Sequence, residues 1–423
     1  MTPRQRHAGR PRTPHRYLFA ALALIAGGVT GLGFPPFNLW WLLPVGLAAF
    51  VVLARLARPG VGALRGYLYG FGFNIVVIQW VYVALGLPVL LVFVAWLAVW
   101  QAAVGLVIAA ARRTPAWGWC GVAAWMAAEW ACARWPIGGF GWARLAFGAA
   151  DSPLNGLFPF ISATGVSAVI VVIGFLISWM VWPAVARFGV DATSDRSPDL
   201  ADGRTGRDDD QSTSQAPKRD GVSGAPTPRA RVGGGVARIR PGPVITLVTL
   251  VVGSLALGLV GRTYDPPSDG RDVTVAVVQG NVPGVGTTAL GPRYTVENNH
   301  LAQTIMLAAK IRTGQVAQPD FVLWPENSTA TDPFTDTTTA GIIKQALDLV
   351  GAPILAGSII AGPGPQERQT VGLWWTTDGQ VEAEYAKRNL VPFGEWIPAR
   401  SLLMSTIPEL KMVGAQSIPG TGP

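Results

Sequence analysis

Apolar residues fill the first 260 positions in long blocks, and polar residues fall between the blocks rather than within them. The blocks run at about 17–32, 39–57, 66–86, 88–111, 115–134, 160–186 and 243–261. Several reach the roughly 20 residues that a helix needs to cross about 30 Å of hydrocarbon. The pattern predicts a membrane domain of about seven helices over residues 1–262. Trp40, Trp41, Trp80, Tyr82 and Trp135 crowd the block ends, as expected where aromatic rings sit at headgroup depth. One polar stretch, 187–241, is rich in Asp, Arg, Gly, Ser, Thr and Pro. It has too few apolar residues to offset its ordering entropy, so it is expected to be a disordered cytoplasmic insert.

The pattern changes after residue 272. Val273–Gln279 is a short apolar run that predicts a buried strand, and 293–312 predicts a helix. A second strand follows at 320–324, a helix at 337–350, and strands at 353–360 and 370–376. Strands alternating with helices predict a layered α/β domain over 272–423.

Composition agrees with two regions of different character. Half of the 423 residues are hydrophobic, 14% are charged, and the mean hydropathy is +0.34. The net charge of +8 does not require nucleic acid as a partner, because the basic residues sit where membrane topology explains them. Arg4, Arg6, Arg10, Arg12 and Arg16 precede the first block; no small-residue cleavage site stands out, so that helix is expected to stay uncleaved. Arg55, Arg58 and Arg65 lie in the second inner loop, and Arg112 and Arg113 in the third. The alternate loops are poor in Lys and Arg. The positive-inside rule then puts the N-terminus in the cytoplasm and, after an odd number of spans, the α/β domain outside.

Few residue types remain for chemistry. Cys120 and Cys132 fall in one apolar block, about 18 Å apart along a helix, too far for a disulfide. No Cys or His group has metal-ligand spacing, and no cofactor is expected. His300 alone represents histidine after residue 15, which argues against a Ser-His-Asp site; it is expected on a helix surface. Glu129 is the acidic residue at membrane depth, either a functional carboxylate or a helix–helix hydrogen-bonding group. Asn74 and Gln79 are expected to line an interior face.

In the α/β region Glu326 ends an apolar strand, where partial burial would suit a general base; an ordinary surface carboxylate would look the same. Lys387 stands between a polar strand and a turn, fit either to stabilise an oxyanion or simply to be solvated. Glu395 follows a turn that aims it back at the same region, as a catalytic group or as an ion-pair partner.

These segments resemble the apolipoprotein N-acyltransferase family of the nitrilase superfamily. The resemblance rests on Gly33-Phe34-Pro35-Pro36-Phe37, Gly70-Phe71-Gly72-Phe73, Gln79-Trp80-Val81-Tyr82-Val83 and Gly139-Phe140-Gly141-Trp142. It continues with Val278-Gln279-Gly280-Asn281-Val282-Pro283, Trp324-Pro325-Glu326, and Lys387 followed by Leu390-Val391-Pro392-Phe393-Gly394-Glu395. Their order along nearly the whole chain makes the resemblance strong.

The resemblance implies a polytopic helical membrane domain followed by an extracytoplasmic, nitrilase-like αββα domain. It implies Glu326 as general base, Lys387 as the group that stabilises a tetrahedral intermediate, and Glu395, Tyr385 and Trp324 as supporting or substrate-binding residues. In such enzymes a cysteine thiolate takes an acyl chain from a membrane phospholipid. The thioester then passes it to the α-amino group of the N-terminal diacylglyceryl-cysteine of a lipoprotein. The family's cysteine lies one strand beyond the segment that here reads Ile418-Pro419-Gly420-Thr421-Gly422-Pro423, and Gly284–Tyr294 lacks the Trp the family often carries. The expectation is therefore a truncated member, inactive by itself, in a bacterial inner membrane. The alternative is a non-catalytic, membrane-anchored scaffold that binds lipid or a polyprenol-phosphate mannosyltransferase, to which some relatives are fused.

Overall fold

A computed structural model of the chain describes residues 15–136, 138–189, 241–265, 270–284, 291–392, 394–397, 400–401, 404 and 414–422. The predicted insert and the basic N-terminal arm lie almost wholly outside the described residues.

The first region is helical: α1 His15–Gly31, α2 Leu42–Arg55, α3 Pro59–Val77, α4 Trp80–Leu85, α5 Leu87–Ala111, α6 Trp117–Cys132, α7 Phe158–Gly189 and α8 Pro241–Gly261. Among the described residues, Leu87–Ala111, Pro153–Ala186 and Val244–Gly261 are long and apolar enough to cross a membrane; α1 and α2 carry shorter apolar helices. The apolar block expected at 66–86 is two helices, because the backbone leaves helical geometry at Ile78 (φ −107°, ψ 23°).

Small residues let these helices approach closely. A Cβ on Gly66 would stand 2.2 Å from the Gln101 carbonyl oxygen of α5, and one on Gly105 would stand 2.3 Å from that of Gly62. Glycines at the α3–α5 contact bring the backbones together, as is typical where lipid supplies no hydrophobic drive between helices. Phe50 stacks on Tyr69 with ring centroids 4.4 Å apart, at the centre of a core that includes Leu43, Leu47, Phe73, Leu97 and Leu145. Buried Arg65 donates to the Leu53 carbonyl at 2.6 Å.

After α8 the chain builds one sheet: β1 Val275–Val277, β2 Phe321–Thr329, β3 Ile354–Ala361, β4 Glu367–Trp375, β5 Val381–Ala386 and β6 Gln416–Ser417. The strands β1, β2 and β3 run parallel; β4 is antiparallel to β3, and β5 is antiparallel to β4. The last strand, β6, pairs parallel with Glu367 and Arg368 of β4, whereas β5 pairs from Val371 onward. The two strands thus share one edge of β4, one taking over where the other leaves. Helices α9 Thr295–Arg312 and α10 Thr337–Val350 pack together. Their buried side chains meet those of Val322, Trp324, Ile354, Ala356 and Leu373 on the sheet. Asp336 caps α10 by accepting from Thr339 N, and Gly351, at φ 64°, ends it.

Two expectations fail here. The strand expected to be buried at Val273–Gln279 lies at the end of the strand order, with Val275 37% and Val277 70% exposed. The second failure is on α9. His300 is not on a surface: it is 2% exposed, its ring 5.6 Å from that of Trp324. The helix buries Val296, Glu297, His300, Leu301, Thr304 and Ala308, so half of its buried stripe is polar and cannot be told from a solvated face by composition.

Candidate active site

The strand β2 is interrupted at the place that matters. Its pairing with β3 shifts between Trp324 and Thr329, as a bulge requires when proline removes a ladder donor. Asn327 adopts φ 58° directly after Glu326, a conformation asparagine tolerates better than most residues. The neighbouring strand makes room for this with Gly357, where a Cβ would stand 2.4 Å from the Pro325 oxygen and 2.6 Å from Glu326 Cα. The loop after the bulge is fixed from below. Fully buried Glu297 accepts from Ala330 N at 2.8 Å and from Thr331 N at 3.0 Å.

Lys387 comes from the handover on the edge of β4. Its N–H donates to the Thr370 oxygen at 2.8 Å, and its carbonyl accepts from Gly420 N at 2.9 Å. The chain then turns through Val391 and returns Glu395, whose carbonyl accepts from Ser417 N at 2.7 Å.

Three charged groups meet as a result. Lys387 Nζ lies 2.6 Å from Glu326 Oε1 and 3.1 Å from Glu395 Oε1. The two carboxylates differ in setting. Glu395 is 13% exposed and also accepts from Val391 N at 2.6 Å and Thr370 Oγ1 at 3.3 Å. Glu326 is 54% exposed, about half open to solvent. Burial alone would lower the pKa of Lys387, but the hydrogen bonds and charges of the two glutamates outweigh it and raise it above the usual 10.5. The group is an ammonium at any physiological pH.

Trp324 and Tyr385 stand apart in character from this trio. Trp324 is 1% exposed and donates its indole N–H to Thr304 Oγ1 at 3.1 Å, within the core against α9. Tyr385 lies half exposed on β5, paired with Gly372. Cys120 and Cys132, the only cysteines of the sequence, are both on α6. Among the described residues no group of three His, Cys, Asp or Glu is placed to hold a metal ion. Sequence reading missed Thr370, Glu297 and Gly357. Only Gly357 carried a signal, since glycine inside a strand marks close backbone approach.

In the membrane block, Glu129 accepts from Ser167 Oγ of α7 at 2.7 Å and from Leu145 N at 3.4 Å. It therefore joins helices by hydrogen bonds. Asn74 is buried as expected, whereas Gln79 is exposed.

Residues 26–176 match the family model described as the apolipoprotein N-acyltransferase N-terminal domain. A protein of Mycolicibacterium smegmatis named apolipoprotein N-acyltransferase is 36% identical over 187 residues, 43% of this chain and 31% of that protein. Proteins of the same name from Pseudomonas syringae pv. tomato and Nitrosomonas europaea are each 26% identical, over 91% and 90% of this chain and 67% and 66% of theirs. The chain thus spans 31% of the first of these relatives and about two thirds of the others.

Proposed function

The chain belongs to the apolipoprotein N-acyltransferase family, and from that premise we propose that Glu326, Lys387 and Glu395 form the charged part of an acyl-transfer site. The donor is a membrane phospholipid, and the acceptor is the α-amino group of an N-terminal diacylglyceryl-cysteine. The observation that carries the reading is the single ammonium bridging two carboxylates from separate segments, at 2.6 and 3.1 Å.

The chemistry follows from the difference between the carboxylates. Glu395, held by its three partners, fixes the position of Lys387. Glu326, open to solvent, is the one able to accept a proton. A cysteine brought to the cluster would give its thiol proton to Glu326, and the thiolate would attack the phospholipid ester carbonyl. Lys387 would stabilise the resulting oxyanion. Collapse breaks the ester C–O bond, and the leaving alkoxide takes the proton back from Glu326. The amine then attacks the thioester, gives up a proton to Glu326, and displaces the thiolate as the amide forms; two half-reactions share one site.

Both cysteines of this chain lie on α6, so the 423 residues by themselves are expected to carry no hydroxylamine-labile acyl label after incubation with labelled phospholipid. In a longer form that brings a cysteine to the cluster, Glu326→Gln and Lys387→Met should each slow acyl transfer to a diacylglyceryl lipopeptide about 10²–10⁴-fold. Undiminished transfer in either variant would sink the assignment. The cysteine placement also supports the second reading, a membrane-anchored scaffold for lipid or a glycosyltransferase; it predicts that neither substitution matters in any form of the chain. In the proposed topology the protein is a multi-pass protein of the bacterial cell membrane, with the α/β domain outside.

A further inference from the structure

The polar residues buried on α9 all reach for one strand. Glu297, His300 and Thr304 are 0%, 2% and 0% exposed, and their spacing puts them on one face of the helix. Thr304 Oγ1 accepts from the Trp324 indole N–H at 3.1 Å. The His300 ring lies 5.6 Å from that of Trp324. Glu297 Oε1 accepts from Ala330 N at 2.8 Å and from Thr331 N at 3.0 Å. The helix thus grips β2 on both sides of Glu326, at Trp324 before the bulge and at Ala330 and Thr331 beyond it.

This grip answers a need that the bulge creates. Pairing of β2 with β3 is regular through Trp324 and resumes only at Thr329. Between those two residues Glu326 has no ladder partner in β3, and Asn327 sits at φ 58°. A side chain on such a segment keeps one direction only if the backbone on either side is held by packing and hydrogen bonds. Glu326 does keep one, because its Oε1 meets Lys387 Nζ at 2.6 Å. An apolar stripe would fill the same space more cheaply. Instead, Glu297 Oε2 and His300 Nε2 are buried with no hydrogen-bonding partner among the described residues, each at a cost comparable to a lost hydrogen bond. Packing alone gives no reason for that cost; the hold on β2 does.

We propose that the Glu297–His300–Thr304 stripe is the clamp that aims Glu326 at Lys387, with Glu297 its principal positioning residue. Glu297 touches no reacting atom of the proposed reaction. It acts through the backbone of Ala330 and Thr331 on the segment that carries Glu326. The clamp deepens the proposed acyl-transfer site and rests on that reading for its purpose alone.

The test reads the ion pair and needs no acyl transfer. The full 423-residue chain in detergent is treated with a trace of acetic anhydride at about pH 9. Mass spectrometry then gives the acetylation rate of Lys387 relative to exposed Lys310. Only the free amine reacts, so a carboxylate that holds the ammonium slows the reaction. Glu326→Gln should speed Lys387 about 3-fold, as loss of one half-exposed charge pair allows. Glu297→Met should speed it by a similar factor, and the double variant no further, because both changes remove the same contact. Glu297→Gln retains an acceptor for both amides and should restore the slow rate. An unchanged rate in Glu297→Met would overturn the proposal, as would a fast Glu297→Gln. Factors that multiply in the double variant would overturn it too, because Glu297 would then act by general loosening. Should Glu297→Met not fold, Thr304→Val removes the other grip at equal size and carries the same expectation. Hydrogen exchange on the unmodified chain is a check that needs no variant: the Ala330 and Thr331 amides should exchange roughly 100-fold slower than in an unstructured chain, and unprotected amides would refute the clamp. If Glu326→Gln leaves Lys387 unchanged, the ion pair is absent and the proposed site falls with the clamp; a negative result at Glu297 alone overturns the clamp and leaves the site standing.

Discussion

Lys387 has two partners, and the sum of their settings decides what each is for. An exposed ion pair contributes little to stability, about 0–1 kcal/mol, so the half-open Glu326 contact is poor value as a structural brace, whereas the enclosed Glu395 is well suited to one. Below this cluster His300 offers a pH readout. Burial holds its pKa below the usual 6.5, against the upward pull of the Val296 carbonyl and the Glu297 charge. The folded chain therefore takes up that proton less readily than the unfolded chain. The stabilisation is whole above pH 6.5 and is lost as the pH falls through the lowered value. Denaturant midpoints of the full chain should drop from pH 7 to 5, and the drop should be smaller in His300→Gln; an identical slope in both would refute the linkage. The trio was legible in sequence because Trp-Pro-Glu and the Lys387–Glu395 segment are short, contiguous motifs. His300 was not, because Glu297, His300 and Thr304 put polar residues on the buried face of α9, where periodicity assumes apolar ones.

Among the elements, β2 and β3 set the geometry of the site together. The bulge of β2 turns Glu326 outward, and Gly357 of β3 admits the displaced backbone. Gly357→Ala should cost about 1–3 kcal/mol, the usual range for overpacking, and should impair Glu326 more than its distance in sequence suggests. Equilibrium unfolding, with acyl transfer in an active longer form, would check this. Unaltered stability would mean that the strands separate freely there. Strand β5 is polar on most positions and exposed at Glu382 to Tyr385, yet it matters because its end delivers Lys387. The short β6 had no sequence signal; two residues make a strand only when β4 offers a free edge.

At the scale of the whole molecule, a helical block rich in apolar surface precedes an α/β domain whose buried side meets α9 and α10. The other sheet face carries half-buried Phe321, Leu323, Leu355 and Trp374, a surface suited to a second sheet in the proposed αββα arrangement. The proposed topology puts this domain outside the cell. A cysteine placed at Gln380, in the turn between β4 and β5, with Cys120 and Cys132 replaced by alanine, should react with a membrane-impermeant maleimide in intact cells. Reaction only after permeabilisation would reverse the orientation and, with it, the extracytoplasmic reaction.

The sequence by itself determined the succession of apolar helices, the change to a sheet-containing region and the motifs that hold Glu326, Lys387 and Glu395, because hydrophobic periodicity and local motifs are properties of neighbours along the chain. Only the tertiary structure decided that Glu326 is open while Glu395 is enclosed, and that Glu297, His300 and Thr304 are buried. Those facts depend on which distant segments pack together: Glu326 and Lys387 are 61 residues apart and meet at one ion pair. Burial and pairing of that kind are set by the sum of long-range contacts, and no local pattern records them.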